Sequence, residues 1–590
     1  MRSAPPVFFR VSRVLASFLL CDTKVIIGIS FDDHGMLRQI TCFVLLSTAL
    51  SAPVKGEHPV RLAVLPLPDT IHDGDTIRLR CGLRYIGTLD LRGRSDVVLR
   101  TEGDCGKATV TPAQPIHGWQ REGPVWSAAI SEEPLMVQID DQFISLAHHP
   151  NGQDAWLSGE GTAPDRLRVT VPNHDLVGAT VVWRPEDWLI LSQRVGGYEG
   201  GQLRIVSVPE PDFGFRERTP YYLEGQRWML DAPGEWVFDH GRLYLWPPDG
   251  RSPEGRVWAA PRATAIDARS TRNVRIQGVR ISLAARGIDG SNTQSLTIAD
   301  TEIINSFDEA IRVGGTGARI SRVQVLGTRQ HGLRAEDDAR DVSVTHSVFE
   351  RIGMLGMPLR SKGAIVFEQA RGQVIIHNRI DQSAYLGIRV FRDAVVTDNV
   401  ITRACQRLSD CGGIYTFARD KQPLFSRIER NRVSDLRGRL SHAIYLDDFA
   451  NAVIIRDNRL SNNPGGVQLH DAFNNLIANN HFSRSAHEHL LFNETASSHT
   501  ITANRIISNR FVLATGVPAH RLWSRHGGAH VLRFASFEKN CYEGPLNRLA
   551  QLEGIGWLDA AAWRKTMDEP DPHCLASTVP PQLTRQPKQK

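Results

Sequence analysis

The stretch HAIYLDDFANAVIIRDNRLSNN, residues 442–463, decides the fold. An apolar run with branched and aromatic side chains ends on two aspartates, Asp447 and Asp448. A second apolar run, Val453 to Ile455, leads into Asp457 and Asn458. Both runs are too short for a helix and carry residue types that suit strands. The same two-part unit recurs along the chain. Runs like the second are NVRIQGVRIS, SLTIADTEII, DVSVTHSVFE, QVIIHNRID, AVVTDNVIT, SRIERNRVSD, NLIANNHFS and TITANRIIS. Between them stand runs like the first: GIDGS, AIRVG, GLRAE, AIVFE, GIRVF, GIYTF, GVQLH and LLFN. The spacing is about 20 to 33 residues. Units of that length, with two or three short strands and no helical period, predict a β-solenoid whose coils bury a core only by stacking.

An asparagine recurs at one phase of this unit, at Asn378, Asn399, Asn431, Asn458, Asn480 and Asn504. Stacked about 4.8 Å apart, these residues predict a structural ladder of amide hydrogen bonds. Asparagine also tolerates left-handed backbone. Tryptophan marks the boundaries of the array: eight of twelve lie between Trp119 and Trp246, and none between Trp258 and Trp523. We therefore divide the chain into a leader (1–52), first coils with a cap (53–115), an inserted β-rich subdomain (116–255), the main solenoid (256–515), and a C-terminal cap and tail (516–590). A helix is expected over Leu558–Met567.

The leader reads as an export signal that starts at Met36. One positive charge precedes an apolar stretch, Ile40 to Leu46, and Ala49-Leu50-Ser51 fits a small-x-small cleavage site. The alternative is a membrane anchor using Val14–Leu20 or Val25–Ile29; after residue 52 nothing approaches a span. Six cysteines remain beyond the leader and fall into local pairs, Cys81 with Cys105, Cys405 with Cys411, and Cys541 with Cys574. That usage fits a periplasmic or extracellular location. No cysteine spacing suggests zinc. The composition, 41% hydrophobic and 23% charged, is that of a soluble globular protein. The net charge of +5 is spread over 590 residues without a dense Lys/Arg block, which argues against a nucleic-acid partner.

The array resembles right-handed parallel β-helix proteins of the pectate-lyase superfamily. The motifs HDGDTIRL, FISLAHHPN, LDAPGEWVFDHGRLYLWPPDG and the consecutive pair CGGIYTFARD and AIYLDD resemble β-helix glycoside hydrolases and related polysaccharide-active proteins. The resemblance covers most of residues 60–575. It implies an all-β, right-handed parallel β-helix and a polysaccharide or oligosaccharide partner. It leaves the chemistry open, because this fold hosts several.

Strand alternation orients the first-type runs independently of that resemblance. Their second positions point outward: Asp289, Arg312, Arg334, Val366, Arg389, Tyr415, Tyr445, Gln468 and Leu491. So do their fourth positions, which include Glu336, Glu368, Phe391, Phe417, Asp447 and His470. Aromatic rings stack on sugars, and Arg and carboxylates bind hydroxyls or acid groups, so this face reads as a carbohydrate groove. Substrate contacts are expected from Arg334, Glu368, Arg389, Asp410, Tyr415, Phe417, Tyr445 and His470.

Three functions fit such a groove. A glycoside hydrolase needs two carboxyl groups flanking the bond. Asp447, Asp448 and Asp471 are the leading catalytic candidates, because coil spacing brings Asp448 and Asp471 to about 4.8 Å. Such crowding predicts that one carboxyl stays protonated near neutral pH. A lyase or epimerase acting on uronic acids needs a base and a cation, for which His470 or Tyr445, and Arg334 or Arg389, are candidates. A non-catalytic carbohydrate-binding surface protein would use the same face without turnover. No cofactor is expected, although the turn Glu336-Asp337-Asp338 offers the oxygen ligands that Ca²⁺ takes, beside the simpler reading of a solvated turn.

Overall fold

The computed structural model describes residues 64–569, apart from 153, 172–173 and 358–362. It also describes the backbone of three strands near the N-terminus, Ala16–Leu20, Thr23–Phe31 and Leu37–Val44, which form one antiparallel sheet. The leader's cleavage site lies outside the described residues.

Two-residue alternation and turn chemistry build the body of the protein. Three long parallel sheets of 14, 13 and 14 strands wind together as a solenoid, with one antiparallel pairing at the end of one of them. Each sheet carries an inward ladder of branched residues. In the groove sheet Ile365, Ile388, Ile414, Ile444 and Val467 pair in register, and all are fully buried. A second ladder runs through Ile375, Val396, Ile428, Ile455 and Ile477. A third runs through Ile380, Ile401, Val433, Leu460 and Phe482. No single coil could bury these side chains; stacked, they make one continuous core.

The asparagine ladder is present, with one change of membership. Asn378, Asn399, Asn431, Asn458 and Asn480 each donate to the side-chain oxygen of the next rung. The series continues through Asn509 and Asn540 and ends on the Glu569 carboxylate. Asn504 belongs to a separate corner, where it accepts from Asn475. The left-handed backbone falls on the residue before each rung, including His377, Asp398, Arg430 and Asp457, and not on the asparagine itself. Asn431 has no exposed surface; its oxygen accepts twice from Asn399 at 3.0 Å, and its amide donates to Val396 O and Asn458 Oδ1 at 2.9 and 3.1 Å. Asn431→Ala orphans several buried groups at about 1–3 kcal/mol each, so a loss of about 3 kcal/mol is expected. Denaturant unfolding measures it, and an unchanged midpoint would contradict the ladder's role.

The insert consists of a seven-stranded antiparallel sheet and a largely antiparallel eight-stranded sheet, built from strands between Gln114–Pro115 and Val257–Ala260. One core holds Trp183, Tyr221 and Leu167; another holds Val137, Trp236 and Leu243. The insert joins the solenoid through Val182, Ile190 and Tyr222, which enter the main core, and through a Ser409 N–H bond to Asp187 O of 2.8 Å. Beyond the last parallel strands lies the helix Ala560–Met567. The Asp559 side chain caps it, and Trp563 is fully buried against His520, with rings stacked at 4.7 Å.

Cys81 is bonded to Cys105 and Cys405 to Cys411, as the spacing suggests. Cys541 is also disulfide-bonded, and its expected partner Cys574 lies outside the described residues. Thiol titration of the unfolded, unreduced protein without its leader is expected to find almost no free thiol; six would contradict this. Among the described residues, no helix is long and apolar enough to cross a membrane.

Candidate active site

The outward ladder of the groove sheet follows the expected register. Asp289, Arg312, Arg334, Val366, Arg389, Tyr415, Tyr445, Gln468 and Leu491 pair in that order. Exposure does not follow outward direction everywhere. Val366, Tyr445 and Gln468 are buried although they point outward. Tyr445 is only 3% exposed, so it does not act as an open sugar platform. Its ring packs edge-on against Tyr415 at 5.4 Å, and its hydroxyl hydrogen-bonds the Asp410 carboxyl. The half-buried aromatic surface comes from Tyr415 and Phe417, whose centroids are 6.2 Å apart.

Asp447 is the hub. One of its oxygens accepts the Tyr415 hydroxyl at 2.6 Å. The other meets His470 Nδ1 at 2.5 Å and the Asp448 N–H at 2.9 Å. Burial pushes this carboxyl up, but the His470 hydrogen bond and charge, with the Tyr415 hydroxyl, overcome it and hold Asp447 below the usual carboxylate range. His470 is the mirror case. Burial pushes the imidazole down, while the bond to Asp447 and the charges of Asp447, Asp471 and Asp448 raise it above its ordinary value. Its Nε2 is 2.7 Å from Thr495 Oγ.

Asp410 behaves oppositely to Asp447. Burial and the Asp447 charge raise its carboxyl above the usual range, and the Tyr445 hydroxyl only partly offsets them. The Cys405–Cys411 disulfide and a hydrogen bond of 2.7 Å from the Tyr385 hydroxyl to Asp410 O fix its backbone. The raised carboxyl is therefore Asp410, with burial as the first cause, and not a member of the crowded Asp447, Asp448 and Asp471 group that the coil spacing suggested.

The remaining candidates separate. Asp448 pairs with Arg419 at 2.6 Å on the rim. Asp471 is 3% exposed, and its carboxylate accepts from the Thr495 N–H and hydroxyl, the Ala496 N–H and the Thr500 hydroxyl. It anchors the loop after the next strand, and these bonds saturate its oxygens. Arg334 stands 3.8 Å from Glu309, within a network that also holds Arg286 and Arg312. Glu336 lies near that network, accepting from Ser291 at 3.1 Å. Glu368 is half-buried on the same face, at the far end of the Phe391–Phe417 file. Arg389 lies over Phe417 at 4.8 Å and Tyr415 at 5.7 Å, and forms no ion pair among the described residues. Sequence reasoning missed Tyr385, Arg419 and Thr495. Arg419 was within reach, in the motif CGGIYTFARD itself; the other two come from turns whose position depends on loop paths.

Ligand atoms of Asp447, Asp448 and His470 lie within 4.8 Å of one another, close enough for a shared ion. Arg419 and the Tyr415 hydroxyl already bond these carboxylates, so an ion held there would compete with them. The arrangement sets one carboxyl held below the usual range, one raised above it and a raised imidazole beside a half-buried aromatic surface.

Residues 356–522 match the family model described as "NosD: Periplasmic copper-binding protein (NosD)". No curated protein matches the chain significantly. Among solved structures, one titled "Glycoside hydrolase" is similar at 14% identity, with a TM-score of 0.55, covering 74% of this chain and 89% of that one. The chain is a right-handed parallel β-helix. Two structures resemble the β-helix less closely. The Azotobacter vinelandii mannuronan C-5 epimerase AlgE4 A-module has 15% identity and a TM-score of 0.34, covering 51% of this chain and 85% of that one. The GH87 alpha-1,3-glucanase catalytic unit from Streptomyces thermodiastaticus strain HF3-3 has 11% identity and a TM-score of 0.36, covering 73% and 95%.

Proposed function

We propose that this β-helix is an exported polysaccharide-active enzyme, a glycoside hydrolase in which Asp410 is the general acid and Asp447 the base or nucleophile. One observation supports the reading: the surroundings of two carboxyl groups on the same groove shift them in opposite directions, Asp410 above and Asp447 below the usual carboxylate range. Hydrolysis of a glycosidic bond needs that division of labour. Asp410 donates its proton to the departing oxygen. Asp447, ionised and aimed by Tyr415 and His470, attacks the sugar or activates water. Tyr415 and Phe417 offer the apolar surface for a sugar ring, and Asp448 with Arg419 forms the rim. Export is supported by the disulfides.

A second reading, a lyase or epimerase on uronic acids, has one observation of its own. Arg389 faces the groove without a carboxylate partner among the described residues, and its Nε is buried without a hydrogen bond. A substrate carboxylate would satisfy it. In that reading Arg389 neutralises the acid group and the Asp447–His470 pair exchanges the adjacent proton.

Incubation with a panel of neutral and uronic polysaccharides separates these readings. New reducing ends without ultraviolet absorbance support hydrolysis, and the anomer released first tells whether Asp447 attacks the sugar or activates water. Reducing ends with absorbance of an unsaturated product support a lyase, and solvent deuterium exchange without cleavage supports an epimerase. No change with any polymer, alongside measurable binding, would overturn both in favour of a binding protein.

A further inference from the structure

A second cluster of chemistry-bearing side chains lies one coil beyond His470 and two coils beyond Asp447. Glu494 ends the strand Glu488–Glu494 and has no exposed surface. Three neutral donors fix its oxygens: the Ser524 hydroxyl at 2.6 Å, the Thr500 N–H at 2.7 Å and the Ile501 N–H at 3.1 Å. Two imidazoles face the same carboxylate. His530 Nε2 is 3.2 Å from Oε1, and His499 Nδ1 is 3.6 Å from Oε2. The two rings lie 3.6 Å apart, centroid to centroid. Beside them His526 meets the His499 ring at 4.4 Å, with its Nε2 3.0 Å from Ala496 O.

Ordinary packing does not account for this. Two histidines converge on a carboxylate that the strand end, a loop and the following coil have already oriented. One ligand atom each from Glu494, His499 and His530 lies within 4.8 Å of the other two. Imidazole and carboxylate are the ligands of borderline divalent ions, and a supporting shell of hydrogen bonds is the usual accompaniment of such a site. The position is accessible, since the His499 side chain is 55% exposed.

We infer that Glu494, His499 and His530 form a binding site for one divalent transition-metal ion of the zinc class, with a fourth position open to His526 or water. Its role is structural. The loop between Glu494 and Thr500 is clamped on its other side by Asp471, which accepts from Thr495, Ala496 and Thr500. His470 also meets Thr495. An ion at the histidines fixes the far side of that loop and so steadies the end of the groove where His470 stands.

The test uses full-length protein free of any polyhistidine tag, stripped with chelator and given Zn²⁺ alone. Cu²⁺ is a poor probe, since it binds most nitrogen and oxygen sites more tightly. One zinc per chain is expected after gel filtration. His499→Ala and His530→Ala are each expected to weaken zinc, read by competition with a chromogenic chelator, by more than the roughly 10–100-fold that loss of a supporting group costs. Zinc should raise the unfolding temperature of the wild type and protect the 495–500 loop from proteolysis, and do neither in the variants. The exposed His499 can be changed without disturbing the core, so misfolding does not obscure the result. Asp447→Asn should keep its zinc, whatever its effect on turnover. Failure of the wild type to retain zinc, equal retention by His499→Ala, or loss of zinc in Asp447→Asn would each overturn the assignment.

Discussion

Asp447→Asn is expected to lower turnover on a responsive polysaccharide by roughly 10²–10⁴-fold, the range that a positioned proton-transfer group supplies. The protein should remain folded, because asparagine has the same shape and one oxygen still accepts from Tyr415 or the Asp448 N–H. The charge is what disappears. Without it, nothing at 2.5 Å stabilises the His470 imidazolium, and burial then dominates that ring. A second readout therefore accompanies the rate. In the wild type the His470 pKa stands above its ordinary value, and in the variant it should fall below. The sign for stability follows from linkage. A histidine raised in the fold contributes stability that is fully present below its unfolded pKa and is lost as pH rises through the folded value. That loss should be visible in the wild type and absent from Asp447→Asn. NMR titration of the imidazole and unfolding midpoints across this pH range measure both effects. Near-normal turnover in the variant would move the base elsewhere in the groove. An unchanged His470 titration would refute the coupling itself.

Much of this groove is legible in the sequence because a strand has a period of two. Once the isoleucines are set inward, Arg389, Tyr415 and Tyr445 must share a ladder, and Asp447 must stand two residues beyond it on the same face. Turn-derived features were harder to read. Asp471 occupies the phase that makes it look like a partner for Asp448, yet a loop 24 to 29 residues later closes on its carboxylate. Tyr445 points outward and is nonetheless buried, because neighbouring side chains and turns cover it. Asn504 sits in a run resembling the ladder runs, but the rung is Asn509, one corner later. Alternation fixes direction only within a strand, while burial and partner choice depend on where irregular segments travel. Asp410 illustrates this most clearly. It precedes its strand, and Tyr385 and Tyr445, which hold it, come from the neighbouring coils on either side.

Asp410→Asn provides the other large effect and the sharper test of the proposed chemistry. Burial comes first among the causes that raise this carboxyl, and the Asp447 charge adds to it. As general acid it matters only when the departing oxygen needs a proton. Turnover of a polysaccharide should fall by roughly 10²–10⁴-fold, while an aryl glycoside of the same sugar, whose phenolate leaves unaided, should lose far less. The pH profile gives an independent measure. Asp447 must be ionised, so the rate falls as pH drops through a pKa held below the usual carboxylate range. Asp410 must be protonated, so the rate falls as pH rises through a pKa held above that range. In Asp410→Asn the acid limb should remain and the alkaline limb should be lost or pass to His470. Linkage gives a third sign. A carboxyl raised in the fold destabilises the protein as pH rises past its unfolded pKa, so the variant should gain stability relative to the wild type toward neutral pH. Equal damage to both substrates with both limbs intact would make Asp410 a structural residue. The uronic-acid reading, with Arg389 and the Asp447–His470 pair, would then account better for the groove.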